Sequence, residues 1–146
     1  MSRITIKNLN SKKKVDLSKI KKTAKRVLKE LNRKNVELNI AFLSNQKIRV
    51  LNRKYLKIDA ATDVIAFPGG DPAEKKNAVF LGDIAISSDK AAQNAKIYGQ
   101  FFKDEITLYV IHGILHLAGY EDTTKASREK MRRKEDVLFQ EIKRSR

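Results

Sequence analysis

The chain of 146 residues contains no cysteine, no tryptophan and only two histidines. Without cysteine there is no disulfide, no thiolate ligand and no cysteine nucleophile, so any metal must be held by nitrogen and oxygen atoms. Four Tyr and six Phe are the only aromatic residues, and no RNA-recognition aromatic signature occurs, which gives sequence readout by base stacking little support. Long hydrophobic runs are missing as well. Residues Met1 to Lys7 lack the apolar segment of a secretory signal. The longest nearly uncharged stretch, Ile106 to Tyr120, is too short for a membrane span, so the expectation is a soluble cytoplasmic protein. With 41% hydrophobic residues the chain can still bury a core, which excludes a disordered class and fits one domain over residues 1–146.

Acidic residues are scarce: 17 Asp and Glu face 32 Lys and Arg, for a net charge of +15. The excess is polarised, at +11 over residues 1–35, −1 over 36–123 and +5 over 124–146. Basic ends around a neutral middle attract polyanions, above all nucleic acid, although a Lys-rich solvated surface has the same composition.

Alternation of Ile4 and Ile6 with polar neighbours predicts a strand over Arg3–Leu9. Asp16 then caps a helix whose apolar side is Leu17, Ile20, Ala24, Val27, Leu28 and Leu31 and whose other faces are covered in Lys and Arg. A half-buried strand follows on Val36, Leu38, Ile40 and Phe42. Ser44 opens a helix that buries Ile48, Leu51 and Tyr55 and presents Arg49, Arg53, Lys54 and Lys57. Asp63–Phe67 reads as a short strand stopped by Pro68-Gly69-Gly70, Asp71–Asn77 as a polar loop, and Ala78–Ser87 as a strand. Ser88 or Asp89 caps an Ala-rich helix ending near Gly99. The most apolar helix runs from Phe102 to Ala118 and stops at Gly119, and a last helix, about Thr124 to Arg144, turns Met131, Val137, Leu138 and Ile142 inward. No internal repeat or linker interrupts the pattern. Four strands and about five helices without strict βαβ alternation predict an α+β domain, a small mixed four-stranded sheet covered by helices.

Both histidines, His112 and His116, fall four residues apart in the apolar helix, on one face, where two imidazoles can converge on one ion. Gly119 then permits a positive-φ turn, and Tyr120-Glu121-Asp122 brings carboxylates back toward the helix end. Asp122 can serve as a third ligand or as the N-cap of the last helix. Two nitrogens and one oxygen leave a coordination position open for water. Gly113 stands where a zinc peptidase of the H-E-x-x-H pattern has its general base, which disfavours peptide hydrolysis. An iron oxygenase with a two-histidine, one-carboxylate triad is chemically allowed, but it has no use for so basic a surface.

The stretch His112-Gly113-Ile114-Leu115-His116-Leu117-Ala118-Gly119-Tyr120 resembles the histidine signature of the YbeY family, bacterial metal-dependent endoribonucleases of ribosomal RNA maturation. Leu51-Asn52-Arg53-Lys54-Tyr55 with Asp59 and Thr62-Asp63-Val64-Ile65-Ala66-Phe67-Pro68 resembles a second block of that family, and Leu81-Gly82-Asp83-Ile84-Ala85-Ile86-Ser87 its strand motif. The resemblance implies a metal-dependent, single-strand-specific endoribonuclease acting on ribosomal RNA, with the small ribosomal subunit as a further partner and zinc as the leading choice for its one divalent ion. Two departures touch the chemistry. Asp122 occupies the place of the family's third histidine ligand, which makes bound water less acidic and opens the site toward iron, manganese or nickel. Leu56 occupies the place of an arginine implicated in activity. Arg53, as a catalytic cation, or Lys57 could supply the missing charge, although plain solvated surface is the slightly favoured role for both. Lys21, Lys22, Lys25 and Arg26 of the first helix, with Arg53 and Lys57, are the candidate RNA-binding residues. The alternative is a non-catalytic RNA-binding ribosome-assembly factor whose metal is structural or absent.

Overall fold

The computed structural model describes residues 2–69 and 79–145. The polar loop expected over Asp71–Asn77 lies outside the described residues, as do Gly70 and Ala78. The elements are β1 (Arg3–Asn8), α1 (Leu17–Glu30), β2 (Val36–Leu43), α2 (Asn45–Leu56), β3 (Val64–Pro68), β4 (Val79–Ser87), α3 (Ser88–Tyr98), α4 (Phe102–Leu117) and α5 (Lys125–Arg144). The sheet order is β1-β2-β4-β3. β1, β2 and β4 are parallel, and β3 runs antiparallel to β4. The α+β class and the mixed four-stranded sheet are therefore as expected.

The alternation in β2 puts Val36, Leu38, Ile40 and Phe42 in the core. They join Ile4 of β1, Ile84 and Ile86 of β4, and the buried stripes of α1, α4 and α5 in one cluster. A second, smaller cluster of Leu43, Ile48, Ile65 and Ala85 lies under α2. α4 contributes Ile106, Val110, Ile111, Ile114 and Leu115, whose burial amounts to on the order of 10 kcal/mol before conformational entropy is subtracted. Its approach to the sheet requires glycine: a Cβ on Gly113 would lie 2.8 Å from Ile84 Cγ2. Position 113 therefore has no room for a base, which gives the absence of an H-E-x-x-H glutamate a packing cause.

Several local readings need correction. Tyr55 and Val137, expected inside, are 55% and 52% exposed: Tyr55 lies in the last turn of α2, and Val137 lies about 120° around α5 from the buried stripe of Met131, Leu138 and Ile142. Leu17, in the first turn of α1, is exposed as well. Lys57 does not continue α2 but adopts a left-handed conformation at its C-cap, with φ 61°. Ser87, not Ser88 or Asp89, caps α3, accepting the Lys90 N–H at 3.1 Å. Asp89 is committed elsewhere, accepting from Asn10 Nδ2 and from the Asn45 N–H, each at 2.9 Å. Burial acts against its charge, but these hydrogen bonds and nearby Lys13 and Lys12 hold its carboxyl below the ordinary value.

The packing at Gly113 yields a direct test. Gly113→Ala should cost about 1–3 kcal/mol in urea unfolding, and that cost should shrink in an Ile84→Ala background, which removes the side-chain atoms the new Cβ would meet. Strictly additive losses in the double-mutant cycle would contradict the close approach.

Candidate metal centre

α4 places polar residues in the apolar helix along one line, Glu105, Tyr109, His112 and His116, at helical spacing. Glu105 and Tyr109 are buried. Burial raises the Glu105 carboxyl above its ordinary value and pushes the Tyr109 hydroxyl up to about 12. The hydroxyl is held by the Asn94 side-chain amide at 2.6 Å. Nearer the helix end, His112 Nε2 and His116 Nε2 lie 3.1 Å apart, and the rings meet edge-on at 79°.

A helix stop delivers the third donor. Tyr120 N–H bonds to the Leu115 carbonyl at 3.0 Å and Gly119 N–H to the His116 carbonyl at 3.1 Å, the paired 6→1 and 5→2 bonds that a left-handed residue after the helix makes possible. Gly119 supplies that residue, with φ 102°. Arg33 donates to the Ala118 carbonyl at 3.0 Å and ties down the same end. The chain then reverses so that Asp122 Oδ2 lies 3.4 Å from His116 Nε2. Asp122 is not the N-cap of α5: Thr124 is, in a capping box with Ser127. One donor atom each from His112, His116 and Asp122 falls within 4.8 Å of the others. Two ligands at 2.0–2.1 Å in a tetrahedral site are about 3.3 Å apart, and the 3.1 and 3.4 Å separations bracket that value. The donor set fits a divalent cation.

Sequence reasoning missed Glu135. Its carboxylate, on α5 and largely buried, bonds His112 Nδ1. An acceptor there fixes the proton on Nδ1 and leaves the Nε2 lone pair directed at the site, the outer-shell arrangement that orients metal-binding imidazoles. Burial works against a charged His112, but the Glu135 hydrogen bond and charge, with smaller contributions from Asp63 and Asp122, outweigh it and raise the imidazole above 6.5. No sequence signal marks Glu135, since the contact joins two helices through residues 23 positions apart.

The other predicted site residues lie elsewhere. Lys21, Lys22 and Lys25 are exposed on α1, and Arg26 is ion-paired with Glu30 at 3.1 Å. Lys22 and Arg26 line a cavity of about 630 Å³ with Phe102 and Lys103, at the far end of α4 from the histidines. A separate, open recess of about 420 Å³ adjoins the donor cluster, lined by His116, Gly119, Tyr120, Glu121, Asp122 and Thr123. Arg53 is exposed in the last turn of α2 and helps the Arg49–Asp59 pair, bonded at 2.8 Å, keep the Asp59 carboxyl low. Leu56 is 50% exposed.

Glu135→Gln should weaken divalent-metal affinity about 10- to 100-fold at pH 8 in chelator competition. Protons compete with the ion for His112, whose imidazole Glu135 holds above its ordinary value, so the affinity should fall on acidification. An affinity at pH 8 equal to that of the unsubstituted protein would contradict the role of Glu135.

A family model described as Endoribonuclease YbeY matches residues 5–143. Endoribonuclease YbeY of Aquifex aeolicus is 40% identical over 119 residues, 82% of this chain and 78% of that one. The Carboxydothermus hydrogenoformans protein of that name is 38% identical over 137 residues, 92% and 93% of the two chains. The solution structure of a Thermotoga maritima protein superposes with a TM-score of 0.64 at 29% identity, covering 95% of this chain and 88% of that one. A match across nearly the whole chain, on a fold that gathers both signature histidines at one helix end, means that this chain belongs to the Endoribonuclease YbeY family.

Proposed function

We propose that the chain is a metal-dependent endoribonuclease that cleaves single-stranded RNA in ribosomal RNA maturation in the cytoplasm, residues 1–146 acting as one domain with the small ribosomal subunit as a partner. The observation that carries this reading is the convergence of His112, His116 and Asp122 with Glu135 behind His112. His112, His116 and Asp122 hold one divalent ion, zinc before iron, manganese or nickel, because two imidazoles and one carboxylate with an open position suit it. When bound, such an ion polarises a phosphoryl oxygen and lowers the pKa of water toward about 7.

The chain's own residues prepare that chemistry. Glu135 keeps the His112 proton on Nδ1, so Nε2 stays an acceptor. Gly119 and the bonds around it fix the distance between the histidines and Asp122. The recess beside His116 and Asp122 is open enough to admit a phosphodiester. Leu56 offers no charge to a phosphate, and Arg53, exposed on α2, is the cation proposed to do so, with the exposed Lys57 at the C-cap of α2 as a second candidate. The +15 charge holds the RNA backbone without reading sequence. No helix among the described residues is long and apolar enough to cross a membrane.

Purified protein should cleave single-stranded RNA, and His112→Ala with His116→Ala should abolish the activity while leaving RNA affinity within a few fold. That affinity should fall about a hundredfold between 50 and 200 mM salt if about five phosphates are neutralised. Retained binding with no cleavage at any divalent metal would favour the non-catalytic assembly factor, a reading that Leu56 keeps in view. Cleavage that survives the double substitution would contradict the proposed centre.

A further inference from the structure

Exposed large apolar side chains gather where α3 meets α4, at the end of α4 opposite the donor cluster. Ile97, Tyr98 and Phe101, on either side of the Gly99 turn, are 70%, 68% and 71% exposed. Phe101 occupies the N-cap of α4 without a side-chain capping bond, a position where Ser, Thr, Asp or Asn is worth about 1 kcal/mol to the helix. A ring so exposed that makes no capping bond contributes little to the fold. Local rules broken without a folding gain mark functional surface.

The surroundings of these rings are cationic. Lys103 Nζ lies 5.6 Å from the Phe101 ring centroid, and Lys96 is exposed one turn before Gly99. Lys103 also lines the 630 Å³ cavity, together with Lys14, Lys19 and Lys22. The one acid lining it, Asp16, is occupied as the cap of α1, accepting the Lys19 N–H at 3.1 Å. Flat apolar rings beside a cluster of lysines match a strand of unpaired nucleotides, whose bases stack while its phosphates meet ammonium groups. An acidic protein segment would satisfy the lysines but has no need of two open ring faces.

We propose that the α3–α4 turn is a stacking platform for unpaired bases, with Tyr98 and Phe101 as its rings and Lys103 joining them to the phosphate-binding lysines of the adjacent cavity. It rests on the endoribonuclease reading for the identity of its ligand. Lys103 precedes His112 by nine helical residues, about 13 Å along α4, so a single-stranded flank of a few nucleotides spans from platform to metal centre. Stacking of this kind tolerates any base, in keeping with the lack of an RNA-recognition aromatic signature.

The test compares two probes of equal length and charge, a short 2′-O-methylated oligoadenylate and its abasic counterpart, by fluorescence anisotropy. Tyr98→Ala and Phe101→Ala should each weaken oligoadenylate binding about five- to tenfold and leave the abasic chain unchanged, while Lys103→Gln should weaken both and flatten the salt dependence. Phe101→Ser separates recognition from folding: by supplying a cap it should raise Tm by a few degrees and still weaken oligoadenylate binding, whereas Phe101→Trp should preserve it. Equal behaviour of the two probes across all variants would overturn the platform. Ring-dependent binding by a protein that cleaves nothing would remove the nuclease reading and leave the platform standing. Normal cleavage with ring-independent binding would do the reverse.

Discussion

Everything at the proposed centre depends on α4 pressing against β4 while keeping one line of polar groups clear of the sheet. The contact at Gly113 and Ile84 sets that distance. A larger residue at 113 would push the helix outward and carry both imidazoles with it. The same helix supplies much of the core, so site geometry and stability are coupled: the apolar face of Val110, Ile111, Ile114 and Leu115 anchors the scaffold on which His112 and His116 sit. A site built on a buried helix is held more rigidly than one built on a loop.

The helix must also end in the right place. His116 lies one residue before the last of α4, and its carbonyl is one of those satisfied by the Gly119 stop. Donor and helix stop thus share a single residue. The reversal that follows returns Asp122 to His116 before α5 begins at its own Thr124 cap. α5 then sends Glu135 back across α4 to His112. Three consecutive devices, a glycine stop, a capping box and an outer-shell carboxylate, convert a short stretch of chain into a defined cluster of donors.

Much of this was legible in the sequence, for physical reasons. Period-two alternation in β2 and period-3.6 stripes in α1 and α4 reflect burial of a continuous face, and Asp16 and Ser44 announce helix starts through their own hydrogen bonds. The pairing of His112 with His116 follows from helical spacing, and Gly119 from the need for positive φ. What stayed hidden depends on tertiary neighbours. Glu135 looks like any charged residue of α5 until α5 is laid across α4. Tyr55 has the period of a core residue but lies in the last turn of α2, where it stays exposed. The capping role fell to Ser87 because Asp89 is drawn to Asn10 and Asn45, residues more than forty positions away in the chain. Asp104 and Glu105, charged residues in the first turn of α4, are buried, which no local pattern foretells.

Metal-dependent chemistry at this helix end requires that His112, His116 and Asp122 close around one ion. X-ray absorption at the zinc edge of the metal-loaded protein reads the coordination directly. Two imidazole nitrogens and carboxylate or water oxygens at about 2.0–2.2 Å, with one imidazole contribution lost in His116→Ala, is the predicted result. A spectrum of oxygen-only coordination, unchanged by that substitution, would contradict it.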